Sequence, residues 1–192
     1  MNDLRDYLTC GEGLPRETAR MLAGAVEVVA PEVVEKLVDQ LAVRLTVDLQ
    51  ETNPIFLTVL HGGLSLMGML MRRVVFPCEF GYVHVSRYGE QTQGKELSWL
   101  GSAHTEVVGR TVVLVDDIID EGETLHALVE HFRQLGAKDV FTVVLVSRLG
   151  LSRPIEATYE VLQLEPGFLV GCGMDVAGYA RNLPGIYRLR DT

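Results

Sequence analysis

The sequence has few cysteines, no long apolar run and no cluster of basic residues. Its 3 cysteines, Cys10, Cys78 and Cys172, are odd in number and far apart, which indicates reduced thiols rather than a disulfide framework. No apolar run reaches the roughly 18 residues of a membrane span. Acidic residues interrupt the apolar ones in the N-terminal segment, which is unlike a secretory signal. We therefore expect a cytoplasmic protein with no membrane partner.

The charged side chains are mainly acidic. Lys and Arg together number 17 against 26 Asp and Glu, and the formal net charge is −9. Without a basic cluster to follow a phosphate backbone, nucleic acid is not an expected partner. A small anionic ligand is still compatible with this charge, because backbone amides and a divalent metal can hold it without side-chain cations.

Short apolar runs alternate with segments of helical periodicity. Pro31–Leu45 carries apolar residues at helical spacing, and so does the segment that starts at Glu123. The predicted strands cover 55–60, 79–88, 111–117 and 140–147. This alternation predicts an α/β fold with a parallel sheet covered by helices. The 192 residues suit one domain, divided into N-terminal helices (1–50), a core sheet (54–148) and a C-terminal segment (155–192).

One stretch, VVLVDDIIDEGETL at residues 112–125, places several acids directly after an apolar strand. Carboxylates beside a core strand are costly unless a partner compensates them. A loop that opens a helix attracts phosphate through its amides and dipole, and Gly122 permits close backbone approach. Asp116 and Asp117 suit ribose hydroxyls or Mg²⁺, and Asp120 suits a proton acceptor. A phosphorylated ribose with pyrophosphate and Mg²⁺ fits this pattern, whereas solvated loop charges with a helix cap are the alternative.

The same stretch resembles the phosphoribosyl-pyrophosphate signature of the type I phosphoribosyltransferases, most of all the hypoxanthine-guanine branch. The resemblance runs from TVLHGG, at 58–63, to the C-terminus. It implies a twisted parallel sheet flanked by helices, with a small hood from the C-terminal segment and the N-terminal helices. It also implies purine salvage, in which the 5-phosphoribosyl group passes from phosphoribosyl pyrophosphate to hypoxanthine or guanine, giving IMP or GMP and pyrophosphate. Mg²⁺ is the implied cofactor, and a homodimer or homotetramer the implied assembly.

The resemblance also implies roles for individual residues. Asp120 is implied as the general base, while Asp116, Asp117 and Asp175 are implied metal ligands, the last through water. The implied contacts of phosphoribosyl pyrophosphate are Leu60, His61, Gly62, Asp116, Asp117, Glu121, Gly122, Glu123, Thr124, Leu125 and Arg181. Ser86, Arg87 and Tyr88 match the head of a mobile loop that closes over the reacting centre. The implied base-binding residues are Ser147, Phe168, which would stack on the purine, Leu169, whose backbone would read its exocyclic edge, and Asp175.

Three positions depart from the family's pattern. His61 stands where many relatives carry Lys or Arg, which predicts a weaker or pH-dependent cation. Arg87 stands where Ser is usual, and Ser147 where relatives carry a Lys that donates to the 6-oxo group. Arg148 is expected to point away from the site. The base is therefore left open, with a transferase for another base and a nucleotide-sensing regulator on the same fold as alternatives.

Overall fold

The computed structural model describes residues 4–9, 13–87, 97–102 and 106–190, with the backbone alone at 86, 87, 97–100 and 102. The helices are α1 (Leu4–Thr9), α2 (Arg16–Ala23), α3 (Pro31–Leu49), α4 (Leu64–Met71) and α5 (Glu123–Gln134). The strands are β1 (Val26–Val29), β2 (Ile55–Leu60), β3 (Glu79–Arg87), β4 (Leu97–Ser102), β5 (Thr111–Ile119), β6 (Asp139–Arg148), β7 (Tyr159–Leu164), β8 (Leu169–Val170) and β9 (Ile186–Arg188).

The central element is a 6-stranded sheet in the order β4-β3-β2-β5-β6-β7. Strands β3, β2, β5, β6 and β7 pair in parallel, and β4 pairs antiparallel with β3 at one edge. The prediction of an α/β fold with a parallel sheet flanked by helices is confirmed. Because parallel strands end at the same edge of a sheet, the carboxyl ends of β2, β5 and β6 lie together.

Both faces of the central strands β2, β5 and β6 are buried, and the side chains of these strands alternate between two cores. On one face Phe56, Val113 and Val115 pack against α3 and α4. On the other face Leu57 and Leu114 pack against the apolar side of α5. Burial on both faces explains why the parallel strands read as continuous apolar runs in the sequence.

A second sheet forms a hood above the carboxyl ends of the central strands. It is antiparallel with the order β1-β9-β8. A third core cluster under the hood joins Leu4 and Leu22 of the N-terminal helices to Val170 and Tyr187. The hood therefore combines both ends of the chain, as predicted, although β1 was expected to be helical and β4 was not expected. No helix in the described part of the chain has the length and apolar character needed to cross a bilayer.

Candidate active site

A cavity of about 370 Å³ lies between the carboxyl ends of the central strands and the hood. The predicted site residues that line it are Leu60, His61, Gly62, Asp116, Asp117, Thr124, Phe168, Leu169, Asp175 and Arg181. They come from four separate segments of the chain. Of the implied metal ligands, Asp116 and Asp117 reach the cavity from β5, and Asp175 reaches it from the hood.

Asp116 and Asp117 lie within β5, which continues to Ile119 rather than ending before the acids. Oδ1 of Asp116 accepts a hydrogen bond from the Asp117 amide at 2.9 Å. Oδ1 of Asp117 accepts one from the Ile118 amide at 2.7 Å. These two bonds fix both carboxylates against the strand and aim them at the cavity that they line.

Burial makes this acid pair electrostatically unfavourable. The pKa of Asp116 lies well above its usual value, because of burial first and the negative charge of Asp117 second. Burial also raises the pKa of Asp117, whose residue is only 8% exposed. A cation bound in the cavity beside Asp116 and Asp117 would favour the ionised form of both carboxylates.

The donor set fits a magnesium ion shared with a ligand. Carboxylate oxygens are the protein ligands that Mg²⁺ prefers, and this ion usually keeps water or substrate phosphates in its remaining positions. Within the described ranges, no three His, Cys, Asp or Glu side chains converge on one point as a complete protein-only metal site. Asp116 and Asp117 could therefore hold the ion only together with oxygens of a ligand or water.

Arg181 connects the hood to the acid pair. Its Nη2 lies 2.7 Å from Oδ1 of Asp175, and its Nη1 donates to the Gly173 carbonyl at 2.6 Å. The same Nη1 is 4.0 Å from Oδ2 of Asp117. Asp175 also accepts a hydrogen bond from the Gly178 amide at 2.6 Å. The guanidinium therefore lies at the cavity wall between two acids, where it also faces any anionic ligand.

Glycines allow the walls of the cavity to approach closely. A Cβ atom on Gly62 would lie 2.4 Å from Oδ2 of Asp117, and one on Gly173 would lie 2.1 Å from the Gly62 carbonyl oxygen. The Leu60–His61 peptide preceding this contact is cis. The ring of His61 meets the ring of His84 edge to face, with centroids 4.7 Å apart. His61 therefore lies at the cavity wall beside a second imidazole from β3.

The helix α5 begins at the far end of the cavity. Gly122 caps it with a φ of 75°, a left-handed conformation that glycine adopts without a steric penalty. Thr124 lines the cavity, whereas Leu125 is buried in the core and can reach a ligand only through its backbone. The first amides of a helix have no acceptor within the helix, which makes this end suited to a phosphate. Glu121 and Glu123 are exposed and do not line the cavity.

Ser147 does not line the cavity, and Arg148 does, which reverses both expectations for the end of β6. Leu145 and Val146 are consecutive but belong to the same core cluster, so the alternation of side chains is interrupted there. Ser147 pairs in register with Ile119, whose side chain packs in the opposite core. Ser147 is 2% exposed. The prediction that Ser147 contacts the base is therefore wrong.

Asp120 lies at the rim, on the exposed loop after β5, and is not among the lining residues. Its Oδ1 is 3.2 Å from Nε of Arg148. Arg153 connects the ends of β5 and β6. It donates to the carbonyl of Ile119 at 3.1 Å and to the carbonyl of Arg148 at 2.5 Å. Arg153 was not predicted, and Arg148 was expected to point away from the site. A single arginine in a loop or at the end of a strand carries no signal that would reveal such a position.

The predicted mobile-loop residues begin at the end of β3. Ser86 and Arg87 form the end of β3, but their side chains and the whole of Tyr88 lie outside the described residues.

Comparisons with known proteins show the family to which the chain is similar. The family described as "Phosphoribosyl transferase domain" matches residues 27–177. A hypoxanthine-guanine phosphoribosyltransferase of Bacillus subtilis is 35% identical over 160 residues, which cover 82% of this chain and 89% of that protein. A crystal structure of a hypoxanthine-guanine phosphoribosyltransferase from Bacillus anthracis, 28% identical, has a TM-score of 0.80 over 86% of this chain and 98% of that one.

A third comparison includes a bound nucleotide. The hypoxanthine phosphoribosyltransferase of Trypanosoma cruzi, solved in complex with the product IMP, is 26% identical. Its TM-score is 0.78, over 85% of this chain and 93% of that one.

Proposed function

The chain belongs to the phosphoribosyl transferase domain family, and from this premise we propose that it transfers a 5-phosphoribosyl group from phosphoribosyl pyrophosphate to hypoxanthine or guanine. The products are IMP or GMP and pyrophosphate, so the reaction salvages a free purine. The relatives named above carry this activity in their names, and the residues at the cavity suit each part of the two substrates.

The observation that carries the proposal is the buried acid pair facing the amino end of α5 across one cavity. Asp116 and Asp117 stand on β5, and Thr124 stands in the first turn of α5. A ribose 5-phosphate suits this arrangement, with its phosphate at the amino end of α5 and its hydroxyls at the carboxylates of Asp116 and Asp117. A ligand that brought no cation would leave the buried charge of the acid pair without a counterpart.

The remaining walls suit the other groups of the substrates. His61 and Gly62 lie on the side where pyrophosphate would leave, and Arg181 supplies a permanent cation there. Arginine can bind two phosphate oxygens at once through its planar guanidinium. Phe168 is 51% exposed at the cavity and offers an aromatic face to a purine, with the backbone of Leu169 beside it.

The transfer step requires positioning and one proton acceptor. N9 of the purine forms a bond to C1 of the ribose as the bond from C1 to the pyrophosphate oxygen breaks, and pyrophosphate leaves with the electron pair. The proton at N7 passes to the carboxylate of Asp120. The acid pair on β5 favours the positive charge that develops on the ribose. Magnesium bound by Asp116 and Asp117, with Asp175 reaching it through water, would supply charge neutralisation for pyrophosphate.

The test is a pyrophosphate-release assay with phosphoribosyl pyrophosphate, Mg²⁺ and each of hypoxanthine, guanine, xanthine, adenine and uracil. We expect release with hypoxanthine and guanine, and loss of release when EDTA removes the metal. Release with uracil alone would indicate a pyrimidine transferase, and no release with any purine would refute the proposal.

A further inference from the structure

The helix α1 packs against the segment of the hood that carries Arg181. Leu4 of this helix is buried in the core cluster under the hood, and Tyr7 packs against the same cluster, to which Ala180 also belongs. The family matches residues 27–177, so α1 lies before the matched region. A part of the chain outside that region therefore contacts the residue next to a wall of the cavity.

One hydrogen bond joins α1 to this segment. The hydroxyl of Tyr7 accepts from the amide of Ala180 at 3.1 Å. Ala180 is 1% exposed, and no backbone carbonyl among the described residues accepts from this amide. A buried amide without an acceptor is unfavourable, so the Tyr7 hydroxyl favours the observed position of the Ala180 backbone.

The backbone of Ala180 has a conformation that needs such support. Its φ is 72°, in the left-handed region that residues with a side chain seldom adopt. The next residue is Arg181, whose carbonyl accepts from the Gly173 amide at 2.9 Å. The direction in which the Arg181 side chain leaves the backbone therefore depends on the conformation of Ala180.

The guanidinium of Arg181 has little freedom of position. Its Nη2 lies 2.7 Å from Oδ1 of Asp175, and its Nη1 lies 4.0 Å from Oδ2 of Asp117. A two-point contact with phosphate oxygens depends on the orientation of the guanidinium plane. A small rotation of the backbone at Ala180 would therefore weaken the contact of Arg181 with an anionic ligand.

We propose that Tyr7 is a positioning residue, which holds Arg181 in the orientation that binds the pyrophosphate oxygens. The proposal rests on the function proposed above and extends the site to the N-terminal helix. Tyr7 does not line the cavity, so it acts on the ligand only through Ala180 and Arg181.

Binding measurements separate this role from general support of the fold. The dissociation constants of pyrophosphate with Mg²⁺ and of IMP, which has no pyrophosphate group, are measured by calorimetry. The proteins are the wild type, Tyr7→Phe, Arg181→Gln and the double variant. Tyr179→Phe is the matched control, because it removes a hydroxyl from the same segment at a residue that is 38% exposed.

We expect Tyr7→Phe to weaken pyrophosphate binding about 3- to 10-fold, as for one lost hydrogen bond, and to change IMP binding less than about twofold. Arg181→Gln should weaken pyrophosphate binding further, by about 10- to 100-fold. In the double variant Tyr7→Phe should add no loss beyond that of Arg181→Gln, since its effect passes through Arg181. Tyr179→Phe should match the wild type.

Unchanged pyrophosphate affinity in Tyr7→Phe would overturn the proposal, and so would an equal weakening of pyrophosphate and IMP. The same loss in the Arg181→Gln background as in the wild type would also overturn it, because Tyr7 would then act by another route. If Tyr7→Phe does not fold, Leu4→Ala takes its place, since it loosens α1 in the same core cluster, and the same outcomes apply.

The pyrophosphate-release assay on the wild type distinguishes the two proposals. Release with a purine together with unchanged pyrophosphate affinity in Tyr7→Phe would refute the role of Tyr7 and leave the proposed function standing. A wild type that neither binds pyrophosphate nor releases it would refute both.

Discussion

Gly62 and Asp117 are in such close contact that a Cβ atom on Gly62 would lie 2.4 Å from Oδ2 of the carboxylate. The contact joins the loop after β2 to the buried end of β5. It leaves no room for a side chain at position 62, so any substitution there must displace the loop or the Asp117 carboxylate.

We therefore predict that Gly62→Ala lowers kcat/KM about 100-fold or more, because the methyl group must displace Asp117 or the loop by a large part of an ångström. Steady-state kinetics with phosphoribosyl pyrophosphate and hypoxanthine measures the effect. Gly68→Ala on α4 is the matched control, since a Cβ atom there meets nothing within 4 Å. Equal kinetics for Gly62→Ala and Gly68→Ala would contradict the close contact.

The raised pKa of Asp116 has a consequence for stability. The folded protein holds this proton more tightly than an unfolded chain, in which the aspartate pKa is about 3.9. Its stability therefore decreases as the pH rises from about 4 through the folded pKa, and the penalty is complete above that pKa. Asp116→Asn removes the negative charge and with it the penalty.

We predict that Asp116→Asn raises the melting temperature of the ligand-free protein at neutral pH, by roughly 2–4 °C for each kcal/mol of repulsion removed. The gain should disappear near pH 4. Added Mg²⁺ with phosphoribosyl pyrophosphate should stabilise the wild type much more than the variant, because the variant lacks a metal ligand. Scanning calorimetry at several pH values measures both effects, with Asp139→Asn at the exposed start of β6 as control. A lower melting temperature for Asp116→Asn at neutral pH would show that the ionised Asp116–Asp117 pair does not destabilise the ligand-free protein.

Asp120 is the predicted proton acceptor, and its removal should act on the chemical step. We expect Asp120→Ala to lower kcat by roughly 10²–10⁴ while affinity for phosphoribosyl pyrophosphate stays nearly unchanged. Single-turnover kinetics is the required measurement, because product release can hide a slower chemical step. An unchanged single-turnover rate would remove Asp120 from the proton transfer, and Asp139→Ala serves as the control for a distant acid.

The acids and glycines of the site could be predicted from the sequence because one strand, one loop and one helix turn fix them locally. Asp116, Asp117 and Gly122 follow one another along β5 and into α5, so their spacing nearly determines their placement. The strand β1 could not be predicted in this way. It pairs with β9, with Val26 opposite Arg188, and the chain between them carries no local sign of that pairing.

The orientations of Ser147 and Arg148 at the end of β6 were mispredicted for a different physical reason. A regular strand would place Ser147 and Arg148 on faces set by simple alternation, but the alternation is interrupted at Leu145 and Val146. One such interruption exchanges the faces of the residues that follow. Base-binding residues near the end of a strand are therefore the least predictable part of this site.

Arg153 is the last residue with a testable role, as a support for the site rather than a part of it. Its side chain is 5% exposed, and it donates to the backbone carbonyls of Ile119 and Arg148 at the ends of β5 and β6. The loop carrying Asp120 starts at one of these carbonyls. The guanidinium thus fixes the end of β5, from which the loop of the predicted proton acceptor extends, relative to the end of β6.

We predict that Arg153→Met destabilises the protein by about 3 kcal/mol, since two charge-assisted hydrogen bonds are lost and two carbonyls lose their donor. The melting temperature should fall by roughly 6–12 °C. At 25 °C the folded variant should show a lower kcat, with little change in affinity for phosphoribosyl pyrophosphate. Glu156→Gln is the control, because it alters only the 3.3 Å ion pair of Arg153 with a side chain that is 71% exposed. Such exposed pairs contribute little, so equal losses in Glu156→Gln and Arg153→Met would show that the ion pair, and not the two carbonyl bonds, supports the site.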